Sequence, residues 1–495
     1  MKYLLGFDIG SSSVKAALIE AESNLPVANS HSPEKEMQIL SPRSGFAEQD
    51  PETWWQELQN ALHKLRMAHP FHPDEILSIG ISYQMHGLVC IDQSLRVLRP
   101  SIIWCDSRAV AIGNKAFDDL GHSYCLRQFL NSPGNFTASK LRWVKEYEPE
   151  LFERIYKILL PGDFVAMKMT GVPATTISGL SEGILWNFAE QRIAEDLLDY
   201  YGIPKQMIAD QVPVFGEQGK LTKTAAADLG MATGIPVCYR AGDQPNNAWS
   251  LQVLEPGEIA ATAGTSGVVY GITNKILYDT ESRVNSFVHV NHSEASPHYG
   301  VLLCLNGTGI LNSWVQKNFF DGMPYPEINK IAAAIPPGSE GLRIYPFGNG
   351  AERVLSNLDP GCAIEGVEFN RHHRGHIARA AQEGIAFALN YGCDIMRGMG
   401  MNLSTIKAGQ ANMFLSDIFA SSFSNVTNCR IEFYNTDGAF GAARGAGLGC
   451  GYYADPGEAF SGMKLIRSIE PDFKVRERLM DVYSAWKENL LLYIQ

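Results

Sequence analysis

Two carboxylates, two glycine turns and a Gln-Met-His segment carry most of the chemistry this sequence offers. Asp8-Ile9-Gly10-Ser11-Ser12-Ser13-Val14-Lys15 follows the apolar run Leu4 to Phe7. Gly10 lets the backbone turn back sharply, so the amides and hydroxyls of Ser11 and Ser12 point into the bend. Such a nest of donors suits phosphate oxygens. Asp8, at the end of the run, can hold a water-coordinated magnesium ion, because Mg²⁺ prefers few carboxylates and several waters. Taken alone, the segment reads better as a plain β-hairpin with a Gly-Ser turn. A second copy, Gly264-Thr265-Ser266-Gly267 between Glu258-Ile259-Ala260-Ala261 and Val268-Val269-Tyr270, reverses that balance. Two such turns facing each other can clamp the β- and γ-phosphates of a nucleotide.

Asp243 follows the apolar segment Pro236-Val237-Cys238-Tyr239 and sits beside Gly242, so its carboxylate is expected to face a cleft. A kinase needs a carboxylate that accepts the proton of the attacking hydroxyl. An Asp in a turn, or one capping a helix through Ala248 and Leu251, satisfies the same pattern. Ser82-Tyr83-Gln84-Met85-His86-Gly87 follows another apolar strand. There Gln84 and His86 offer hydrogen bonds to sugar hydroxyls and Met85 an apolar wall. Trp104, followed by Cys105-Asp106-Ser107-Arg108, adds an aromatic plate and an ionic pair. Other motifs fail. Gly216-Glu217-Gln218-Gly219-Lys220-Leu221 lacks the first glycine of a P-loop and carries Leu221 where Ser or Thr would bind magnesium. The spacing of Gly445, Gly447 and Gly449 does not fit a dinucleotide fingerprint and reads as close helix packing. His372-His373-Arg374-Gly375-His376 has no acidic or cysteine partner in the sequence, so a solvated helix start is expected rather than a metal site.

The elements that must position these residues are legible in outline. The opening reads strand, turn, strand, with a third strand near Val27. Asp50 and Pro51 then suit the N-cap and first position of a helix bearing Trp54, Trp55, Leu58, Leu62 and Leu65 at helical spacing. A strand from Ile76 to Ser82 follows. Further helices are expected at Glu195 to Tyr201, at Gly438 to Gly451 and from about Asp472. The strand–turn–strand opening recurs after about half the chain, which suggests two α/β domains of related topology facing each other across a central cleft. The expected division is 1–244 and 245–495.

Length and composition agree. At 495 residues the chain is too long for one comfortable core, and 45% apolar with 19% charged residues is ordinary for a globular protein. A net charge of −12 argues against a nucleic-acid surface, while one small anion needs only a local cradle. No signal peptide and no bilayer-length apolar stretch is expected, so no membrane partner is foreseen. Nine dispersed cysteines without Cys-x-x-Cys read as reduced, buried thiols, which together place the protein in the cytoplasm.

Taken together these residues resemble the FGGY family of carbohydrate kinases, from the first strand to about Gly451. The opening is similar to the family's Asp-x-Gly-Thr-Ser-x-x-Lys, with Ser11 in place of Thr. Gln84-Met85-His86-Gly87 matches the substrate motif of members acting on D-xylulose. Phe136 to Val144, continued by Leu160-Pro161-Gly162-Asp163-Phe164, looks like the first family signature. Ala263 to Gly267 matches the second phosphate loop, and Arg379 to Phe387 and Gly438 to Arg444 resemble the helices flanking the adenosine site.

The resemblance implies two ribonuclease-H-like domains of the actin and hexokinase type, with ATP on the second and a ketose on the first. It implies transfer of the γ-phosphoryl of ATP to that ketose, D-xylulose before others, with domain closure excluding water. Asp243 becomes the general base. Gln84, Met85, His86, Trp104 and Gln244 become sugar contacts beside it. Gly10, Ser11, Ser12, Lys15, Gly264, Thr265, Gly409 and Asn412 become nucleotide contacts, and Asp8 and Asp243 the carboxylates on the Mg²⁺ side. Two departures stand out. Gln244-Pro245 follows the base where Asn is usual, and Ala408-Gly409-Gln410-Ala411-Asn412 replaces a more glycine-rich adenosine loop, with Phe414 in a position usual for Trp. Rival readings are a ribulokinase-like sibling or polyol kinase, an actin- or chaperone-like ATPase acting on a protein partner, and a silent sugar sensor. A homodimer is compatible with the sequence.

Overall fold

The computed structural model describes residues 1–494. It divides into two compact units. The first comprises Met1–Leu254, Phe287–Tyr299 and Thr436–Met463, and the second comprises Glu255–Ser286, Gly300–Asn435 and Lys464–Gln495. The chain therefore passes between units more than once, a feature that a single division near Asp243 does not contain. The helix expected at Gly438 runs Gly438–Gly449 and belongs to the first unit.

In the first unit the strands are β1 (Tyr3–Ile9), β2 (Val14–Glu20), β3 (Pro26–Ser32), β4 (Ile76–Tyr83) and β5 (Val237–Gly242). They form one sheet in the order β5-β4-β1-β2-β3. β1, β2 and β3 pair antiparallel as a meander, while β4 joins β1 in parallel and β5 joins β4 in parallel. β1 and β4 are buried along almost their whole length, which is why they read as continuous apolar runs rather than alternating ones. The helix Pro51–Ala68 packs its Trp54, Trp55, Leu58, Leu62 and Leu65 into the core beside the sheet. Its start is as expected: Pro51 is the first helical residue and the Asp50 carboxylate accepts from the Glu52 amide at 3.0 Å.

The second sheet is built from β6 (Glu258–Ala263), β7 (Gly267–Thr273), β8 (Asn285–Val288), β9 (Tyr299–Leu305), β10 (Thr405–Gly409), β11 (Arg430–Tyr434) and β12 (Leu465–Ile469), all of it in the second unit except the Phe287–Val288 end of β8 and Tyr299. Their order is β8-β9-β7-β6-β10-β11-β12, with β6 antiparallel to β7 and β10 and β11 parallel to β6 in turn. Its central order β9-β7-β6-β10-β11 repeats that of β3-β2-β1-β4-β5. The recurrence at half-length in sequence is thus a recurrence of sheet topology. The long helix Arg374–Gly398 and the terminal helix Phe473–Tyr493, which begins where expected and is capped by Asp472, bury Phe387, Tyr483 and Trp486 in the core of this unit.

Among the described residues no helix is long and apolar enough to cross a membrane. The nine cysteines are unpaired, but the expectation that they are buried holds only for part of the set: Cys105 and Cys362 are exposed.

The helix Gly438–Gly449 lies directly on the first sheet. A Cβ on Gly6 would run into the Ala439 carbonyl, and one on Gly80 into the Ala442 carbonyl. The glycines of β1 and β4 therefore admit helix backbone where any side chain would stand. The run Gly445, Gly447, Gly449 does pack closely, Gly449 against the Cys238 carbonyl. Gly80→Val should lower stability by about 3 kcal/mol or more, because the obstacle is backbone and cannot rotate away. A chemical-denaturation midpoint close to that of the parent protein would contradict this packing.

Candidate active site

The parallel strands of the first unit end together. Register places Asp8 beside Ser82, Ile9 beside Tyr83, and Gly242 beside Tyr83 from the other side. The residues at and beyond these ends, Asp8, Gln84 to His86 and Asp243, are thus gathered at the carboxyl edge of the sheet, where open α/β folds bind ligands. The helix Gly438–Gly449 starts here as well. A Cβ on Gly438 would lie 2.6 Å from Asp8 Oδ2.

Asp8 is held by a hydrogen bond from Ser82 Oγ at 2.8 Å. Burial raises its pKa, the charge of Lys15 on the neighbouring strand and the Ser82 bond oppose that, and Asp437 adds to it. Asp243 is the first residue of the helix Asp243–Ser250, and Gly242 takes the cap position, so Asp243 is not the N-cap. Burial first and the Asp8 charge second push its carboxyl up to about 7. A carboxylate poised there accepts a proton near neutral pH. Asn246, on the same helix, donates to the Gly438 carbonyl at 2.9 Å and Trp249 Nε1 to that of Gly441 at 2.9 Å, fixing the helix that bears Asp243.

The Gln-Met-His segment divides its roles. Gln84 is buried, its amide nitrogen donates to Gln49 Oε1 at 3.2 Å, and its backbone amide binds the Ile9 carbonyl at 2.8 Å. Met85 is buried beside Gly242. His86 has φ 61, an uncommon conformation for a residue with a Cβ. Its Nδ1 lies 2.9 Å from the Glu182 carbonyl, which makes that nitrogen the protonated one, and its ring packs against Phe136 and Phe287. Buried Lys140 ties two parts of this region together. Its Nζ donates to the His86 carbonyl at 2.8 Å and to the Ile103 carbonyl at 3.0 Å. Trp104 comes next in the chain, is 51% exposed, and places its Nε1 3.4 Å from Ser11 Oγ. The ionic pair beyond it is structural. Arg108, buried, reaches Asp106 at 2.6 Å and Glu48 at 2.7 Å and stacks over Phe46.

The first glycine turn is closed by its own backbone, the Gly10 amide donating to the Ser13 carbonyl at 3.0 Å. Ser12 and Lys15 are exposed, while Ser11 is half-buried. In the second unit, the Gly264-Thr265 turn meets the start of the helix Gly309–Phe319: the Gly309 amide donates to the Gly264 carbonyl at 2.9 Å and Ile310 to that of Thr265 at 3.2 Å. These residues line a cavity of about 450 Å³ together with Asn312, Tyr325 and Asn412. Gly409 does not line it. It ends β10 and accepts from the Ala411 amide at 2.9 Å. Phe414 is core, against Phe419 and Phe433.

Three features escaped the sequence reading. Lys140 lies on a helix in a quoted signature, but its two carbonyl partners are distant in sequence. Glu182, the only charge in the otherwise small and apolar stretch from Ile177 to Leu185, is buried beside Gly242. Burial drives its carboxyl well above the usual range, the Tyr83 hydroxyl opposing and Asp243 adding. The histidine cluster does begin a helix, with His373 accepting from the Gly375 amide at 3.1 Å. It is not wholly solvated, however, and it does have an acidic partner: His376 is buried, with Nε2 3.1 Å from Glu340. Among the described residues no group of three or more His, Cys, Asp or Glu is arranged to hold a metal ion.

Comparison with known proteins agrees with this architecture. The family model described as the N-terminal domain of the FGGY family of carbohydrate kinases matches residues 3–248, and that of the C-terminal domain matches 259–450. The xylulose kinase of Bacillus subtilis (strain 168) is 29% identical over 92% of this chain and 89% of its own length. That of Escherichia coli (strain K12) is 29% identical over 89% and 88%. The crystal structure of a xyloylose kinase from Brucella ovis superimposes with a TM-score of 0.88 at 26% identity, covering 98% of each chain. With family models spanning nearly the whole chain, and with the repeated sheet order of the actin and hexokinase type beneath them, this protein belongs to the FGGY family of carbohydrate kinases.

Proposed function

We propose that this ATP-dependent sugar kinase phosphorylates a small ketose, D-xylulose, at its terminal hydroxyl to give D-xylulose 5-phosphate. The curated relatives above act as xylulose kinases, and this chain carries Gln84-Met85-His86. The observation that carries the mechanism is the setting of Asp243. It stands at the ligand-binding edge of the first sheet, on a pinned helix, with its carboxyl pushed up to about 7. Family membership leaves the reading as an ATPase acting on a protein partner without support.

In this reading Met85, His86, Trp104 and Gln244 hold the sugar, and Gln84 braces the segment through Gln49. Asp243 takes the proton of the terminal hydroxyl while that oxygen bonds to the γ-phosphorus and the bond to the bridging oxygen of ADP breaks. The turn at Gly264-Thr265, with Asn412 lining the same cavity, holds the nucleotide, Gly409 serving only through the loop that it begins, and Gly10, Ser11, Ser12 and Lys15 offer donors to the transferring group. Loose transition states of this kind are favoured chiefly by positioning and by fixed charges and dipoles. Magnesium brought with the nucleotide would draw on Asp8 and Asp243, and a cation there would offset the repulsion between the two half-buried carboxylates.

The residue after the base favours a second reading. Gln244 is longer by one methylene than the usual Asn, which suits a different ketose or a polyol. Comparing kcat/KM for D-xylulose, D-ribulose, L-ribulose and glycerol decides it. D-Xylulose is expected to lead by about tenfold or more, and a higher value for any other acceptor would reassign the substrate. Asp243→Ala should lower kcat by about 10² to 10⁴ while ATP still binds, and turnover surviving that change would remove Asp243 from the mechanism. Because only the ionised carboxylate accepts a proton, kcat/KM should fall about tenfold per pH unit below about 7. A profile flat from pH 8 to 5 would contradict the assignment.

A further inference from the structure

Glu182 is the last residue of the short helix Ile177–Glu182, and its side chain is buried, the residue being only 1% exposed. The Tyr83 hydroxyl acts on its carboxyl, but among the described residues neither Glu182 oxygen nor that hydroxyl makes a hydrogen bond of good geometry. A carboxyl taken out of water without a partner costs stability, so a native protein that keeps one there uses it. The position says for what. An ideal Cβ on Gly242 would stand 2.5 Å from Glu182 Oε2 and 2.6 Å from Met85 Cγ. The carboxyl therefore lies over the backbone immediately before Asp243 and next to the side chain read as the wall of the sugar site. The backbone carbonyl of the same residue holds His86 Nδ1 at 2.9 Å. One residue touches all three parts of the proposed acceptor site.

We propose that Glu182 is a further sugar-binding residue, whose buried carboxyl takes a hydroxyl of the ketose next to the one that Asp243 deprotonates. Met85, unbranched and adaptable, is the side chain that gives way as the sugar enters. The assignment rests on the ketose-kinase reading and adds a specificity contact to it. A site that buries a polar group for a substrate hydroxyl discriminates strongly against acceptors lacking that hydroxyl. Glycerol, with fewer hydroxyls, should lose less than the ketose when Glu182 is changed.

Glu182→Leu and Glu182→Gln test the proposal, with kcat/KM for the preferred ketose, kcat/KM for glycerol, KM for ATP and the thermal midpoint of the ligand-free protein measured on each. Glu182→Leu should lower kcat/KM for the ketose at least about tenfold. The ketose-over-glycerol ratio should narrow and KM for ATP stay within about twofold. Because an unsatisfied carboxyl has been removed, the midpoint should hold or rise, by about 2 °C or more. Glu182→Gln, which keeps the shape and one acceptor, should fall between Leu and the parent. Unchanged ketose kinetics would overturn the proposal. So would a loss of activity accompanied by a lower midpoint or a failure to fold, since either result makes Glu182 a packing residue. If the parent protein turns over no ketose, the functional reading itself fails. If it does and Glu182→Leu matches it, only the Glu182 assignment fails.

Discussion

Bringing two half-buried carboxylates to the edge of one sheet works against folding, and much of the first unit is arranged around that cost. Asp8 and Asp243 lie at the ends of strands of the same sheet; burial raises the proton affinity of both, and the Asp8 charge raises that of Asp243 further. What keeps them there is backbone. The helix Gly438–Gly449 sits on Gly6 and Gly80 so closely that its first turn covers Asp8, and Asn246 and Trp249 bind its carbonyls from the helix that starts at Asp243. The same contacts that bury the acids fix their positions. A carboxylate fixed in this way need not reorganise to accept a proton, which is the main advantage a preorganised site has over water.

The two units use one strand order for different work. In the first, the residues at and just beyond the strand ends are Asp8, Met85, His86 and Asp243. In the second, the equivalent opening ends in Gly264-Thr265, set against the start of a helix and a cavity of about 450 Å³. The topology supplies a converging edge in both cases, and the side chains at that edge choose the ligand. Around the Gln84-Met85-His86 segment the support is polar and buried. Lys140 grips the carbonyls of His86 and Ile103, and Arg108 anchors Asp106 and Glu48 behind Trp104. These bonds hold exposed or strained residues, His86 at positive φ among them, in one arrangement.

By itself, the sequence determined what local patterns can carry. The continuous apolar runs of β1 and β4, the Asp50-Pro51 start of a helix with helical apolar spacing, the helix from about Asp472 and the recurring glycine turn all depend on neighbours in the chain. They were legible for that reason. The residue types at the strand ends were legible too, and with them the family and the candidate base. Tertiary structure alone decided which partner each group meets. Nothing near Glu182 in the chain shows that Gly242, sixty residues on, leaves its oxygen room. Nothing near Gly438 assigns its helix to the first unit, and nothing near His376 supplies Glu340. Gln84 could not be known to spend its amide on Gln49. Burial and pairing are set by segments that are far apart in sequence and brought together only by packing, so the electrostatics of the site belong to the fold.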